Sequence, residues 1–116
     1  MAQNTVKIGA SAEHAATRLL LEHGYRIVER NFRCKAGELD LVARDGTVLV
    51  FVEVRSRANA DHGHAVEMVG SRKQRQVARV AALYLALRQP AYEEIRFDVV
   101  AITGHEAMLI QDAWRL

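Results

Sequence analysis

The sequence predicts a single α/β domain over residues 1–116, with one mixed β-sheet, a helix on each face and the element order αβββαββ. Three observations predict it. Two stretches, 10–23 and 71–88, carry apolar residues at helical spacing, while the segments between and after them alternate as strands do. The run VLVFVEV, residues 48–54, is apolar on both faces, as a central strand covered on both sides is. A chain of 116 residues supports one core and is too short for two.

Residues 1–9 read as a flexible leader. From Ala10 to His23, the residues Ala12, Ala16, Leu19, Leu20 and His23 form one stripe; Ser11 is the expected N-cap and Gly24 the stop. Glu13 sits at the rim of that stripe. Tyr25–Arg33 reads as a strand with Tyr25, Ile27 and Phe32 inward. Two further strands, Glu38–Ala43 and Thr47–Arg55, flank Asp45-Gly46, a strong hairpin signal because both residues tolerate positive φ. Residues 58–70 read as a loop. The helix over Ser71–Arg88 is expected to turn Val77, Val80, Ala81, Tyr84, Leu85 and Leu87 inward, with Pro90 ending it. Strands at Glu94–Ile102 and Ala107–Ala113, joined through Gly104-His105, complete the order.

Half of the residues are apolar and 26% charged, the balance of an ordinary globular domain. The formal charge is only +2, so the total does not announce a nucleic-acid binder. Its distribution says more: Arg55, Arg57, Arg72, Lys73, Arg75 and Arg79 fall in one region, and Arg26, Arg30, Arg33 and Lys35 in another. Sharing a face, they would form a basic patch for phosphates; apart, they are a solvated surface, and charge alone leaves both readings open. The single cysteine, Cys34, excludes an intrachain disulfide, suits a reducing cytosol and reads as a small apolar filler. No run approaches the ~20 apolar residues of a membrane span, and no secretory signal is visible, so a cytoplasmic protein without membrane contact is expected. His62-Gly63-His64 lacks a third or fourth ligand nearby and reads as a loop. Trp114 reads as a core or dimer contact sooner than a base-stacking platform.

The segment Gly37–Arg57, GELDLVARDGTVLVFVEVRSR, carries the chemistry. With Asp45-Gly46 as a two-residue turn, Arg44 faces Thr47, Glu38 falls opposite Glu53, and Asp40 falls opposite Phe51. Side chains alternate across a strand, so Glu38, Asp40, Glu53 and Arg55 share one face. Clustered carboxylates repel one another, and a divalent cation offsets that cost. Hard oxygen ligands suit Mg²⁺ or Mn²⁺, which polarises a phosphoryl oxygen and acidifies a bound water. Acids at a strand end also read as solvent-facing, with Arg55 in a surface ion pair. Against that, Glu53 interrupts a strongly apolar run, and Glu13 lies on a helix that must pack on this sheet and offers a fourth carboxylate.

The pattern GELDLVARDG…VFVEVRSR resembles the PD-(D/E)XK nuclease signature, and more narrowly the YraN family of small bacterial proteins, similar to archaeal Holliday-junction resolvases. GASAEHAA, RNFRCKAGELDL and GSRKQRQV match its opening helix, its acidic strand and the start of its second helix, so the resemblance covers nearly the whole chain. It implies a restriction-endonuclease-like core and Mg²⁺- or Mn²⁺-dependent hydrolysis of DNA phosphodiesters, on branched or damaged DNA, leaving 5′-phosphates. It implies Asp40 and Glu53 as principal metal ligands, the Val54 carbonyl as a third, and Glu13 as an accessory ligand. Arg55 takes the place of the motif lysine, and Gln74 orients water or phosphate. Lys73, Arg57, Arg72 and Arg75 are the expected nucleic-acid contacts. Arg55 is the departure from the pattern, because arginine stays charged and cannot act as a general base. An alternative therefore stands beside the nuclease: a non-catalytic nucleic-acid-binding or adaptor module that keeps the fold. A third reading is an interaction protein whose acids are incidental. Resolvase-like action calls for a homodimer, and a chain this short calls for a targeting partner.

Overall fold

The computed structural model describes residues 8–57, 69–104 and 106–115. Helix α1 spans Ile8–Glu22, and strands β1 (Arg26–Cys34), β2 (Gly37–Asp45) and β3 (Val48–Arg57) follow. Helix α2 spans Ser71–Arg88 and leads into β4 (Glu94–Thr103) and β5 (Glu106–Trp114). The five strands form one sheet in the order β1-β2-β3-β4-β5. Only β3 and β4 run parallel; the other neighbours are antiparallel. A parallel pair needs a crossover, and α2 supplies it.

The expected order αβββαββ is thus found among the described residues. Helix α1 begins at Ile8, two residues before the expected start, so Ile8 and Gly9 belong to the helix, and Ser11 lies inside it instead of capping it. Its end follows the expected stop. Gly24 has φ +84°, its N–H reaches the Leu21 carbonyl, and the Tyr25 N–H reaches back to Leu20. That is the Schellman pattern, with the apolar contact between Tyr25 and Leu20 that accompanies it. Helix α2 has the expected bounds, closing at Gln89 in the left-handed region just before Pro90.

Each face of the sheet has its own core. Helix α1 contributes Ala16 and Leu20 to one, with Tyr25, Leu41, Ala43, Val50, Val52 and Val100. Helix α2 contributes Val77, Val80, Ala81 and Tyr84 to the other, where Tyr84 meets Phe32 and Phe51 edge-on at 5.1 and 5.8 Å. Strand β3 lies between them, with Leu49–Val52 buried on both sides, as its apolar run predicts. Two expected core positions are outside: His23 is exposed, and Leu87 is 63% exposed at the far end of α2. Trp114 stacks on Phe97 at 5.0 Å and belongs to the α2-side core. Cys34 packs against the same core. No helix of the described residues is long and apolar enough to cross a membrane.

Strand β2 departs from regularity at one place that matters. Leu39 belongs to the α2-side core and Leu41 to the α1-side core, although residues two apart on a regular strand share a face. The strand therefore rolls over at Asp40. Strand β1 does the same opposite it: Arg30 binds Thr17 of α1, Phe32 lies in the α2-side core, and Asn31 between them has φ +54°. Asparagine is among the few residues that take this conformation readily. Gly37, with φ +141°, lets the β1–β2 turn close on α2, where Gln76 Nε2 donates to the Ala36 carbonyl at 3.2 Å.

Candidate functional site

The β2–β3 turn differs from the expected one. Asp45 pairs with Val48, so the turn residues are Gly46 and Thr47, and φ is positive at Gly46 alone. A glycine with positive φ at the first central position is the pattern of a type II′ hairpin turn, whose twist matches that of the strands. The register moves by two residues from the expected pairing. Two residues are one full alternation, so the side chains along the regular ladder, Leu41–Asp45 against Val48–Val52, keep their faces. The partner of Glu53 changes, however: continuing the ladder beyond Leu41 and Val52 brings Asp40, not Glu38, across from it.

At that point side chains take over from the ladder. The Val54 N–H donates to Asp40 Oδ2 at 2.8 Å, and the main chain of Asp40 supports the Glu53 carboxylate. The two acids lie together where β2 rolls over, on the face toward the start of α2. Glu53 is 2% exposed, and its Oε2 has no hydrogen-bond partner among the described residues. Its Oε1 lies 3.7 Å from Lys73 Nζ, in the first turn of α2. Burial raises the Glu53 carboxyl to about 7, and repulsion from Asp40 adds to it, against the pull of Lys73 and Arg55. Asp40 is also raised, by burial first, against the Val54 amide, Lys73 and Arg55.

A second buried acid shows what a purely structural carboxylate looks like in this fold. Asp98, fully buried, accepts from the Tyr25 hydroxyl at 2.6 Å, Arg96 Nε at 2.9 Å and the Asp112 amide at 2.9 Å. Arg96 Nη2 reaches its other oxygen at 3.0 Å and Asp45 at 3.0 Å, and Gln111 donates to the Tyr25 hydroxyl. This network was not anticipated, although Asp98 interrupts the apolar strand RFDVVAI just as Glu53 interrupts VLVFVEV. Every oxygen of Asp98 is satisfied, as buried polar groups normally are; an oxygen of Glu53 is not. The indole nitrogen of Trp114 is the other buried side-chain atom left without a partner among the described residues.

The remaining candidates divide. Arg55 acts electrostatically on both Asp40 and Glu53. Val54 meets Asp40 through its amide. Gln74 stands in the first turn of α2, where its Nε2 donates to the Val69 carbonyl at 2.7 Å. Glu38 pairs with Arg33 at 3.6 Å near the surface, and its charge still repels Asp40. Glu13 is half-buried on α1, which packs on the opposite face of the sheet, and no hydrogen bond or ion pair joins it to Asp40 or Glu53 among the described residues. Arg72, Arg75 and Arg79 are exposed on α2, and the Gln76–Ala36 bond sets the turn bearing exposed Arg33 and Lys35 beside that helix. Arg30 belongs to the α1 side. Arg57 ends β3, with its side chain outside the described residues, as are His62 and His64.

The donor set can be weighed against a divalent ion. Among the described residues no group of three or more histidine, cysteine or acidic side chains is placed to hold one. Two adjacent carboxylates remain, one with an unpartnered buried oxygen. Mg²⁺ suits such a pair, because it keeps several waters and takes one or two carboxylates together with substrate phosphate.

Residues 12–102 match the family model described as "Uncharacterised protein family UPF0102". Similar chains include a UPF0102 protein of Syntrophus aciditrophicus (strain SB), 41% identical over 120 residues that span 100% of this chain and 94% of its own. One of Beutenbergia cavernae is 50% identical over 95 residues, 82% of this chain and 80% of that one. One of Moorella thermoacetica is 48% identical over 94 residues, 81% and 78% of the two chains.

Proposed function

Since the chain belongs to the UPF0102 (YraN) family, we propose its function from the site: a divalent-metal-dependent nuclease that hydrolyses DNA phosphodiesters, on a restriction-endonuclease-like core. The observation that carries this reading is Glu53, a buried carboxylate beside Asp40 with one oxygen left unpartnered among the described residues. An acid kept only for the fold would be satisfied, as Asp98 is. Leaving it unsatisfied costs stability unless a cation completes it.

Asp40 and Glu53 are the residues that would hold Mg²⁺ or Mn²⁺; the family resemblance adds the Val54 carbonyl and Glu13, of which Glu13 would have to reach the ion from the helix on the other face. The bound ion would polarise a phosphoryl oxygen and ease loss of a proton from water. The Val54 amide fixes the rotamer of Asp40. Lys73 and Arg55 place positive charge where negative charge grows on the phosphate. Gln74, anchored through Nε2 to Val69, has a carbonyl oxygen with which to orient water. Water adds to phosphorus opposite the 3′ oxygen. The P–O3′ bond breaks as the new P–O bond forms, the water proton passes to solvent, and the departing oxygen takes one up, giving 5′-phosphate and 3′-hydroxyl ends. Exposed Arg72, Arg75 and Arg79 would hold neighbouring phosphates.

Purified protein on duplex, single-stranded, flap and four-way DNA, with Mg²⁺, Mn²⁺ or EDTA, tests this. Metal-dependent cleavage that Asp40→Asn and Glu53→Gln abolish, with binding retained, supports it. Cleavage surviving both substitutions is a contaminant's and defeats the mechanism. The same preparations, weighed in solution with and without DNA, report whether a dimer forms. A second reading, binding without cleavage, is favoured by one observation: only two of the expected carboxylates come together, with arginine where the motif has lysine. Binding in every metal condition without cleavage would establish it.

A further inference from the structure

Lysine in the first turn of a helix is badly placed for the helix itself. The N-terminus of α2 carries partial positive charge, yet its first residues are Ser71, Arg72 and Lys73, with no acid among them and no side-chain cap from Gly70. Nothing local to α2 calls for a cation at position 73. What calls for it lies across the gap on β3, where Lys73 Nζ approaches Glu53 Oε1 at 3.7 Å while its side chain stays 35% exposed. The ammonium thus stands at the boundary between the buried acid and the surface, on the side from which a phosphate would enter. Lys73 and Arg55 both act on Asp40 and Glu53, and Lys73 is seen against the Glu53 carboxylate itself.

The two cations also differ in kind. Arg55 follows Glu53 by two residues on the same strand, and its guanidinium is planar and delocalised. An ammonium is compact, carries three donors and sits on a flexible stem, so one group can serve a phosphate oxygen and a water together. The first turn of α2 adds backbone N–H groups with no side-chain cap from Gly70, a favourable setting for phosphate.

Building on the nuclease reading above, we propose that Lys73, delivered from α2, is the catalytic ammonium of this site: it donates to a non-bridging oxygen of the scissile phosphate and to the attacking water, and Arg55 is a secondary phosphate contact. Before substrate arrives, the same ammonium lies against Glu53 and competes with a divalent ion for that carboxylate. The charge that steadies the acid pair is then handed to the phosphate.

The test compares Lys73→Met and Lys73→Gln with Arg55→Met in the full chain, with three readouts. These are single-turnover cleavage of the best DNA substrate in Mn²⁺, DNA affinity in EDTA, and the Mn²⁺ concentration at which the melting temperature rises by half its maximum. Both Lys73 variants are expected to lose cleavage by roughly 100-fold or more, the size seen on removing one charge-stabilising donor. They should keep most of the DNA affinity and show the Mn²⁺ midpoint moved to lower concentration, because the competing ammonium is gone. Arg55→Met should lose less than about tenfold. Losses equal in the two sets, or larger for Arg55→Met, overturn the assignment, as does a Mn²⁺ midpoint that stays put or rises in the Lys73 variants. Wild-type protein that neither cleaves nor responds to Mn²⁺ defeats the nuclease reading, and this assignment with it. Wild type that cleaves while the Lys73 variants cleave equally well defeats this assignment alone.

Discussion

Replacing Glu53 with glutamine in metal-free buffer makes the electrostatics of the site measurable without any substrate. In the folded protein Glu53 keeps its proton to about 7, because it is buried and faces Asp40, against an ordinary value of 4.5. Between those values the native state binds more protons than the unfolded one, so stability falls as pH rises. The contribution of protonated Glu53 is complete below about pH 4.5 and is lost as pH climbs through about 7. At ~1.4 kcal/mol per pH unit, the loss is about 3 kcal/mol. Glutamine keeps the shape and cannot ionise. Urea unfolding of both proteins in EDTA at pH 4.5 and pH 8 should therefore show the variant gaining about 3 kcal/mol on wild type across this interval. Groups that do not interact with Glu53 cancel in the difference. A difference that stays constant from acid to alkaline pH refutes the reasoning, because it would mean that the buried carboxylate is not strained by ionisation.

Other expectations follow from the same structure. At pH 8, Mn²⁺ at a hundredfold excess over its dissociation constant should raise wild-type stability by about 2.7 kcal/mol, and Asp40→Asn should not respond in the same melting experiment. Asp98→Ala, one residue along β4 from the strand position beside Glu53 but bonded on the α1 face of the sheet, removes a partner of half-buried Arg96 and of the Tyr25 hydroxyl; it should cost ~3–5 kcal/mol by urea unfolding. Gly37→Ala meets both a φ of +141° and Gln76 Nε2 at 2.8 Å from the new Cβ, so it should destabilise by about 1–3 kcal/mol. Each of Arg72→Ala, Arg75→Ala and Arg79→Ala should weaken DNA binding at every sequence and reduce the salt slope by about one, read from affinities at several salt concentrations.

Much of the fold was legible because it rests on local rules. The Schellman end of α1 at Gly24, both ends of α2, the β2–β3 hairpin and the two-sided burial of β3 follow from glycine, proline and apolar spacing. The face shared by Asp40 and Glu53 was legible too, and survived an error in the turn. Moving the turn from Asp45-Gly46 to Gly46-Thr47 shifts the register by two residues, and side-chain alternation is unchanged by an even shift.

By itself, the sequence determined which elements form, their order and, along the regular stretches, which side chains share a face, because helix and strand periodicity act over a few neighbouring residues. Only the tertiary structure decided who meets whom. It rolled β2 over at Asp40, set Asp40 instead of Glu38 against Glu53, and brought Lys73 of α2 to the buried acid. It also left Glu13 on a helix packed against the other face, and sent Glu38 to Arg33. It closed the network of Tyr25, Arg96 and Asp98, whose members lie up to 73 residues apart. These outcomes depend on where separate elements pack once two cores are filled, and no pattern within a single element encodes that distance.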